Sequence, residues 1–358
     1  ILFVSALNGA QTGALSGFEA FKTIAHVNLF VGLLSFPILI AGAWFGGLTG
    51  AVWALAINLG FNWLFNNIAI RREARRYGVR FAFRHCRNEL PVLWKFSVPA
   101  TLAAIIVQPA QWLCATFLVN TNEGYEQMGL LSAARVFHHV ALTIAMILNQ
   151  PLLSMVCNTQ PGAEERLASV NILLTWGVGL LVALPFLSFP MLPSLVFGSS
   201  YAGPEIQATF AIVLSYTCIQ LYKNGLARIL AARNLMWLSV YSNSLWGVLA
   251  VAVSYFTARW GAIGIALAFL AAYSISAAPV MLVCKRMGLI PENTLFSPAA
   301  ASVWGVLCIL GILSRVSLPL LIRVTLFVIS LAIVSGAFYR LFGFPNGHSP
   351  QQATPLNK

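Results

Sequence analysis

The sequence predicts an all-α polytopic membrane protein with about eleven transmembrane helices. Hydrophobic residues make up 59% of the chain, charged residues 8%, and the mean hydropathy is +0.82. An average soluble domain has roughly 25% charged residues. Apolar runs of a length that crosses the hydrocarbon core alternate with short polar or basic loops, and the basic loops fall on one side in a single topology.

The most basic segment, RREARRYGVRFAFRHCRNELPVLWK at residues 71–95, fixes the predicted topology. Short loops that carry Lys and Arg stay on the cytoplasmic side of a membrane. Residues 71–91 are therefore interpreted as a basic cytoplasmic linker between two helix bundles. The net charge of +12 is explained by this rule and by anionic headgroups, so nucleic acid is not an expected partner.

Three apolar segments precede this linker and are interpreted as the remainder of an N-terminal helix bundle, residues 1–70. The second half of a helix is predicted at 1–15, and two spans at 23–44 and 48–70 are joined by a tight turn at Gly46 and Gly47. The chain begins inside an apolar run that lacks the pattern of a signal peptide. We expect that earlier helices of the same bundle are missing.

After the linker, residues 92–284 are predicted to form a C-terminal six-helix bundle, with Lys223, Arg228 and Arg233 in an internal loop. Two additional C-terminal helices are predicted within 285–342, and a Pro-, Gly- and Gln-containing tail at 343–358 is predicted to be disordered. The spans of the bundle and of the additional helices are predicted at 92–119, 128–156, 167–189, 206–222, 235–256, 261–283, 298–313 and 318–339.

An internal repeat relates the two bundles when the chain is shifted by 215 positions. The helices that the shift superposes have the same predicted orientation, so the repeat is parallel, with its pseudo-axis along the membrane normal. It predicts about 125 further residues upstream, enough for the first three helices. The matched pairs are Leu15 with Leu230, Asn28 with Asn243, Gly32 with Gly247, Gly46 with Gly261, and Ala51 with Ala266.

Three segments resemble the polysaccharide-transporter or O-antigen flippase (Wzx-type) family of the multidrug/oligosaccharidyl-lipid/polysaccharide exporter superfamily. They are NGAQTGALSGFEAFKTIAHVN, GAWFGGLTGAVWAL and WKFSVPATLA. The resemblance implies two six-helix bundles plus two C-terminal helices in a bacterial inner membrane. It further implies alternating access and export of a polyprenyl-pyrophosphate-linked oligosaccharide, an O-antigen or exopolysaccharide unit. Expected partners are that lipid-linked oligosaccharide, membrane lipids and polysaccharide polymerase machinery.

Arg135 is the principal candidate for substrate binding, because a guanidinium inside a span costs at least a few kcal/mol unless it faces water or a partner. Its planar donor fork suits the pyrophosphate of a lipid-linked glycan, a role that the resemblance supports. The alternatives are snorkelling to the external interface or pairing with a carboxylate of the missing helices. Further cavity candidates are Ser132, His139, Thr143 and Gln150 on the same helical stripe, Gln108 and Gln111 on the preceding span, and Lys95 at its cytoplasmic mouth.

The acidic residues argue against an enzyme. All nine are Glu, each in a predicted loop or helix end, so neither a carboxylate pair for glycoside chemistry nor a carboxylate-held metal is expected. The six cysteines have no CxxC spacing, and no phosphate loop of the Walker type occurs. No cofactor is expected. The alternative functions are a multidrug exporter of the same superfamily and a membrane glycan polymerase or ligase.

Overall fold

The computed structural model describes residues 2–79, 90–157, 164–198, 201–290 and 297–342, and these residues contain helices and no strands. Six stretches, several of them helix pairs or extended helices, are long and apolar enough to cross a membrane. The predicted all-α polytopic class is therefore confirmed. The helices are α1 Leu2–Gly17, α2 Phe21–Arg76, α3 Leu90–Val92, α4 Val98–Val119, α5 Gly124–Cys157, α6 Glu164–Ser188, α7 Leu192–Phe197, α8 Pro204–Ala232, α9 Met236–Thr257, α10 Gly261–Arg286, α11 Pro298–Leu313 and α12 Leu320–Leu341.

The chain divides into two units. The first comprises residues 1–91 together with 150–157, and the second comprises 92–149 and 158–358. In the predicted basic linker, α2 continues as far as Arg76, whereas residues 80–89 lie outside the described part, as does the predicted disordered tail at 343–358. The assignment of separate roles to the bundles, the linker and the C-terminal helices stays a prediction.

Two glycines close corresponding helical hairpins, one in each unit. Gly47 interrupts α2 with φ 55° and ψ −137°, and Gly261 begins α10 with φ 65° and ψ −145°. An L-residue with a side chain rarely adopts this conformation, so glycine is required at both turns. The structure thus pairs Gly47, rather than the predicted Gly46, with Gly261. The reason is that the second hairpin is one residue shorter.

The arms of both hairpins touch through backbone beside the turn. A Cβ atom on Gly50 would overlap the carbonyl oxygen of Gly42, and one on Gly264 would overlap that of Thr257. The contacts are equivalent, since 257 − 42 = 215 and 264 − 50 = 214. Small residues are what allows membrane helices to approach this closely.

A third pair of contacts lies at matching positions of the repeat, but the side chains that make the contact differ between the two units. In the first unit the Asn8 side-chain amide donates to the carbonyl oxygen of Leu59 over 3.2 Å. The matching positions in the second unit are Lys223 and Tyr273, and there the Lys223 ammonium lies 5.7 Å from the Tyr273 ring centroid. The two corresponding helices are therefore in contact in both units. A hydrogen bond from Asn8 to a backbone carbonyl in the first unit corresponds to a lysine beside a tyrosine ring in the second.

The second unit contains the larger core. Helix α4 packs against α9, α6 against α8, and α10 against both α8 and α9, with α11 and α12 beside α6. Trp246, Tyr216 and Phe269 are buried at the centre. In the most apolar stretch of α6, 56% of residues are buried, compared with 11% in α2. The exposed apolar side chains of α2, such as Trp44 and Phe45, fit an apolar membrane environment.

Lys95 lies in a π-helical turn, Leu93–Ser97, at the beginning of the α4 span. Pro99 follows four residues later and has no N–H to donate to the Lys95 carbonyl, which explains why the helix widens locally. The Lys95 side chain is exposed.

The hairpin contact predicts a clear difference between two glycines of α2. Gly50→Ala should lower the free energy of unfolding by roughly 1–3 kcal/mol, because the added methyl group forces the two arms apart. The matched control is Gly46→Ala, where an added Cβ meets nothing within 4 Å and should be neutral or slightly stabilising. Thermal unfolding of the detergent-solubilised variants measures both. Equal midpoints would contradict the assigned contact.

Candidate functional site: a polar crevice around Arg135

Arg135 lies well inside α5, a helix of 34 residues. Helix α5 begins at Gly124, so Arg135 is about 16 Å along its axis at 1.5 Å per residue. The side chain is half-buried, and the guanidinium carbon lies 4.8 Å from the centroid of the Phe269 ring. A cation over an aromatic face is attracted by the ring quadrupole, more strongly where water is scarce.

The guanidinium opens onto a narrow polar crevice with contributions from four helices. Its volume is about 20 Å³, which accommodates a single water. It lies beside the exposed His139 side chain. The lining residues are Gln111 of α4, Arg135, His138 and His139 of α5, Tyr216 of α8, and Phe269 and Tyr273 of α10.

No carboxylate neutralises Arg135 within the part of the chain that the structure describes. The ion pair found there joins Glu73 and Arg76 at 3.9 Å, in the other unit. The guanidinium instead contacts the Phe269 face and lies next to the Tyr216 hydroxyl, which is neutral. Arg135 therefore keeps hydrogen-bond donors that an anion can use.

His138 has a definite orientation in the wall of the crevice. Its Nδ1 atom lies 2.9 Å from the Thr217 hydroxyl oxygen, and that hydroxyl donates its own proton to the Val213 carbonyl oxygen over 2.6 Å. Because the Thr217 proton is already used, the hydrogen-bond network assigns Nδ1–H as the donor. His138 is 6% exposed, and it fixes the position of its helix against α8.

Tyr216 contributes a hydroxyl that lies next to the Arg135 guanidinium. Its ring stacks on Tyr273 at 5.6 Å with an interplanar angle of 19° and contacts Phe269 edge-on. The side chain is 1% exposed, and the hydroxyl has no partner at good hydrogen-bond geometry. A buried hydroxyl normally finds a partner, so this one marks a place where a ligand oxygen would be favourable.

Of the predicted cavity residues, the structure brings Arg135, His139 and Gln111 together in the crevice. The Thr143 hydroxyl is used within its own helix, where it donates to the His139 carbonyl oxygen over 2.8 Å. Gln150 belongs to the first unit. Gln108, Ser132 and Lys95 are exposed and do not line the crevice. Their proposed substrate contacts stay predictions.

Sequence reasoning missed the aromatic half of the crevice and did not include His138 among the cavity candidates. Tyr216, Phe269 and Tyr273 are far from Arg135 in the chain. A usable signal was nevertheless present, since Phe269 and Tyr273 are four residues apart and share one face of a helix. Tyrosine also combines an apolar ring with a hydroxyl, the combination that a saccharide or headgroup site needs.

The predicted internal loop is wrong for Lys223 and Arg228, whereas Arg233 does lie in the turn that follows α8. Helix α8 continues to Ala232, and Arg228 is 4% exposed within it. Its Nε donates to the Asn171 side-chain oxygen over 2.5 Å, and Nη2 donates to the Asn171 carbonyl and the Thr175 hydroxyl over 2.9 and 3.0 Å. These neutral acceptors on α6 explain how the helix buries the charge.

Arg228 also donates to Asn149 of α5 over 3.3 Å, while the Asn171 amide donates to the Gly225 carbonyl over 2.8 Å. The Arg228 guanidinium is therefore hydrogen-bonded to two neighbouring helices and has few N–H donors left for a ligand. Its role is to hold α5, α6 and α8 together, in contrast to Arg135.

Removing Arg228 should destabilise the fold. Arg228→Met leaves the buried oxygens of Asn171 and Thr175 without donors and should lower the free energy of unfolding by roughly 2–4 kcal/mol. Arg340→Met is the matched control, because Arg340 is exposed in the last turn of α12. Thermal unfolding in detergent provides the measurement, and similar losses in the two variants would refute a structural role for this network.

No protein-family model matches the chain, and no solved structure matches it. It is similar to the EPS I polysaccharide export inner membrane protein EpsE of Ralstonia nicotianae (strain ATCC BAA-1114 / GMI1000). The two are 26% identical over 290 residues, which cover 76% of this chain and 63% of the relative. The protein of the same name from Ralstonia solanacearum is 27% identical over 204 residues, covering 54% and 45%.

The chain thus spans less than two thirds of the length of the curated relatives it matches. These similarities and the apolar helices identify a multi-pass inner-membrane protein. Within the described residues, no group of three or more His, Cys, Asp or Glu side chains is arranged to hold a metal ion.

Proposed function

We propose that this chain is the membrane-embedded part of a polysaccharide export transporter that flips a polyprenyl-pyrophosphate-linked oligosaccharide from the inner to the outer leaflet. The observation that carries the proposal is the half-buried Arg135 guanidinium, which has no carboxylate partner among the described residues and lines a polar crevice. Similarity to proteins named for polysaccharide export supports the cargo class. The unit would belong to an exopolysaccharide or an O-antigen.

Arg135 would bind the pyrophosphate. A phosphate that enters a low-dielectric interior needs a compensating charge and hydrogen-bond donors, and guanidinium offers both in a planar fork. The contact with Phe269 holds the guanidinium on one face and leaves its donor edge for the ligand. An arginine already saturated by a carboxylate or by amides, as Arg228 is by amides, would not be able to do this.

The surrounding side chains would recognise the glycan. Gln111 and His139 present polar groups at the crevice, and the Tyr216 hydroxyl beside Arg135 adds a further polar group. Sugar hydroxyls satisfy such groups, and the apolar face of a sugar ring packs on aromatic side chains such as Phe269 and Tyr273. The mixture of polar and aromatic residues therefore favours a saccharide over a purely apolar drug.

Transport would require the crevice to open. Its volume of about 20 Å³ is smaller than a phosphate group, so the helices that line it would have to separate for the cargo to enter. Alternating access, in which one helix bundle moves against another around a fixed site, supplies the opening. The energy would come from an ion gradient, the membrane potential, or removal of the product by polymerase machinery at the outer face.

The two alternatives make different demands on the site. A multidrug exporter coupled to protons or sodium would use a carboxylate within a span, whereas the buried Glu73 lies near the end of α2 and contacts Thr23 and Arg76. A glycan polymerase or ligase would use an essential external acid or arginine pair and would transfer sugar in detergent. The names of the relatives describe export rather than catalysis.

Substitution of Arg135 tests the proposed binding role. Arg135→Ala should reduce polysaccharide export by at least about tenfold, as expected for loss of a charge-assisted hydrogen bond. Arg135→Lys should restore export only partly, because lysine lacks the bidentate fork. Cell-surface polysaccharide and membrane abundance are measured together. The control is Arg259→Ala, which removes an exposed arginine over Trp260; wild-type export by Arg135→Ala would end the hypothesis.

The leaflet that holds the lipid-linked unit tests the transport step directly. In cells depleted of the full-length protein, intact units should accumulate on the cytoplasmic face, where a membrane-impermeant glycan probe cannot reach them until the membrane is opened. Single units that reach the outer face and stay unpolymerised would instead favour the polymerase. No change in either leaflet would favour the drug exporter.

A further inference from the structure

A second and larger cavity lies in the same unit, next to the Arg135 crevice. Its volume is about 180 Å³, equivalent to about six waters and of the order of one sugar ring. Tyr273 lines both spaces. The residues on which the inference depends are Gln220 and Lys223 of α8, Ser239 and Trp246 of α9, and Tyr273 of α10.

Lys223 gives this cavity a positive charge. Its ammonium donates to the Ser276 hydroxyl over 2.9 Å and lies 5.7 Å from the Tyr273 ring centroid. No carboxylate lies within ion-pair distance of it in the described ranges. The ammonium has three donors, and a charge half-buried in a span needs a partner or water. An anion in the cavity would be a suitable partner.

Three other polar atoms of the wall have no hydrogen-bond partner. They are Gln220 Oε1, Ser239 Oγ and Trp246 Nε1, all buried, and Trp246 is only 2% exposed. Buried polar groups are rarely left in this state. Together the three atoms offer acceptors and donors in the wall of the cavity that Lys223 also lines, which is what several neighbouring hydroxyl groups on a ligand require.

The aromatic side chains supply the apolar part of the recognition. Trp246 and Tyr273 contact each other with ring centroids 5.2 Å apart and an interplanar angle of 40°. Both line the cavity. Aromatic rings next to hydroxyl-binding groups suit a sugar ring, which has C–H groups on its faces and hydroxyls around its edge.

We propose that this cavity is a subsite for one acidic sugar residue of the transported glycan. The Lys223 ammonium pairs with the sugar carboxylate, Trp246 and Tyr273 pack against the ring, and Gln220, Ser239 and the Trp246 N–H bind hydroxyls. This inference rests on the proposed function and adds the chemical class of the cargo. A single ammonium matches a single carboxylate, whereas the forked guanidinium in the neighbouring crevice matches phosphate.

Binding of free monosaccharides to the full chain in lipid nanodiscs tests the subsite. The probes are glucuronate, glucose and inorganic phosphate, followed by ligand-observed NMR with competition. Glucuronate should bind at least about tenfold more tightly than glucose, the difference expected for one hydrogen bond to a charged group. Equal affinity for glucose, or displacement of glucuronate by phosphate at a similar concentration, would overturn the assignment to an acidic sugar.

Two variants localise that binding. Lys223→Gln should weaken glucuronate binding by about tenfold or more and should leave glucose binding little changed. Trp246→Phe should weaken the binding of both sugars; because Trp246 is buried in the core and the smaller ring leaves a cavity, its thermal unfolding midpoint is measured alongside binding. The matched controls are Lys285→Gln and Trp112→Phe, at exposed residues that do not line the cavity. Unchanged glucuronate binding in both test variants would refute the subsite.

The Arg135→Ala variant separates this inference from the proposed function. It should lose export and keep glucuronate binding, because it leaves the Lys223 cavity intact. If Arg135→Ala exports normally while Lys223→Gln abolishes glucuronate binding, the flipping proposal fails and the acidic-sugar subsite stands. If Arg135→Ala loses export and Lys223→Gln binds glucuronate as well as the unmodified protein, only the subsite fails.

Discussion

A charge inside a membrane span must be matched by polar groups, because hydrocarbon supplies none. The interior cations of the second unit meet this requirement in two ways. Arg228 is saturated by amide, hydroxyl and carbonyl oxygens, and Arg323 donates to the Ser188, Leu318 and Val316 carbonyl oxygens. Arg135 and Lys223 instead face small polar spaces. The degree of saturation therefore separates structural cations from candidate binding groups.

Helix α8 combines both kinds of group. Tyr216 and Lys223 contribute to the two adjacent spaces, and Arg228 ties the following turn to α6 and α5. A binding group is positioned accurately only when the element that carries it is itself held rigidly. The Arg228 network provides that rigidity about 8 Å along the helix axis from Lys223, so its structural role supports the site indirectly.

The two halves of the repeat have kept their hairpin geometry and have diverged in polarity. Gly47 and Gly261 adopt the same unusual backbone conformation, which only glycine tolerates easily. Where the first unit has Asn8 bonded to a backbone carbonyl of Leu59, the second has Lys223 beside Tyr273. The positive φ at each turn requires glycine, whereas the side chains between the helices can change without altering the turn.

The sequence by itself determined the all-α membrane class and singled out Arg135 as a cation within an apolar helix. Apolar run length, basic loops and a lone cation within a span are local properties, and each has a large free-energy consequence in a bilayer. Only the tertiary structure decided that Arg228 is buried, that Tyr216 and Tyr273 join the crevice, and that Lys223 faces a cavity. These outcomes depend on which helix faces meet, and residues distant in the chain, such as Asn171 and Arg228, satisfy one another only after packing.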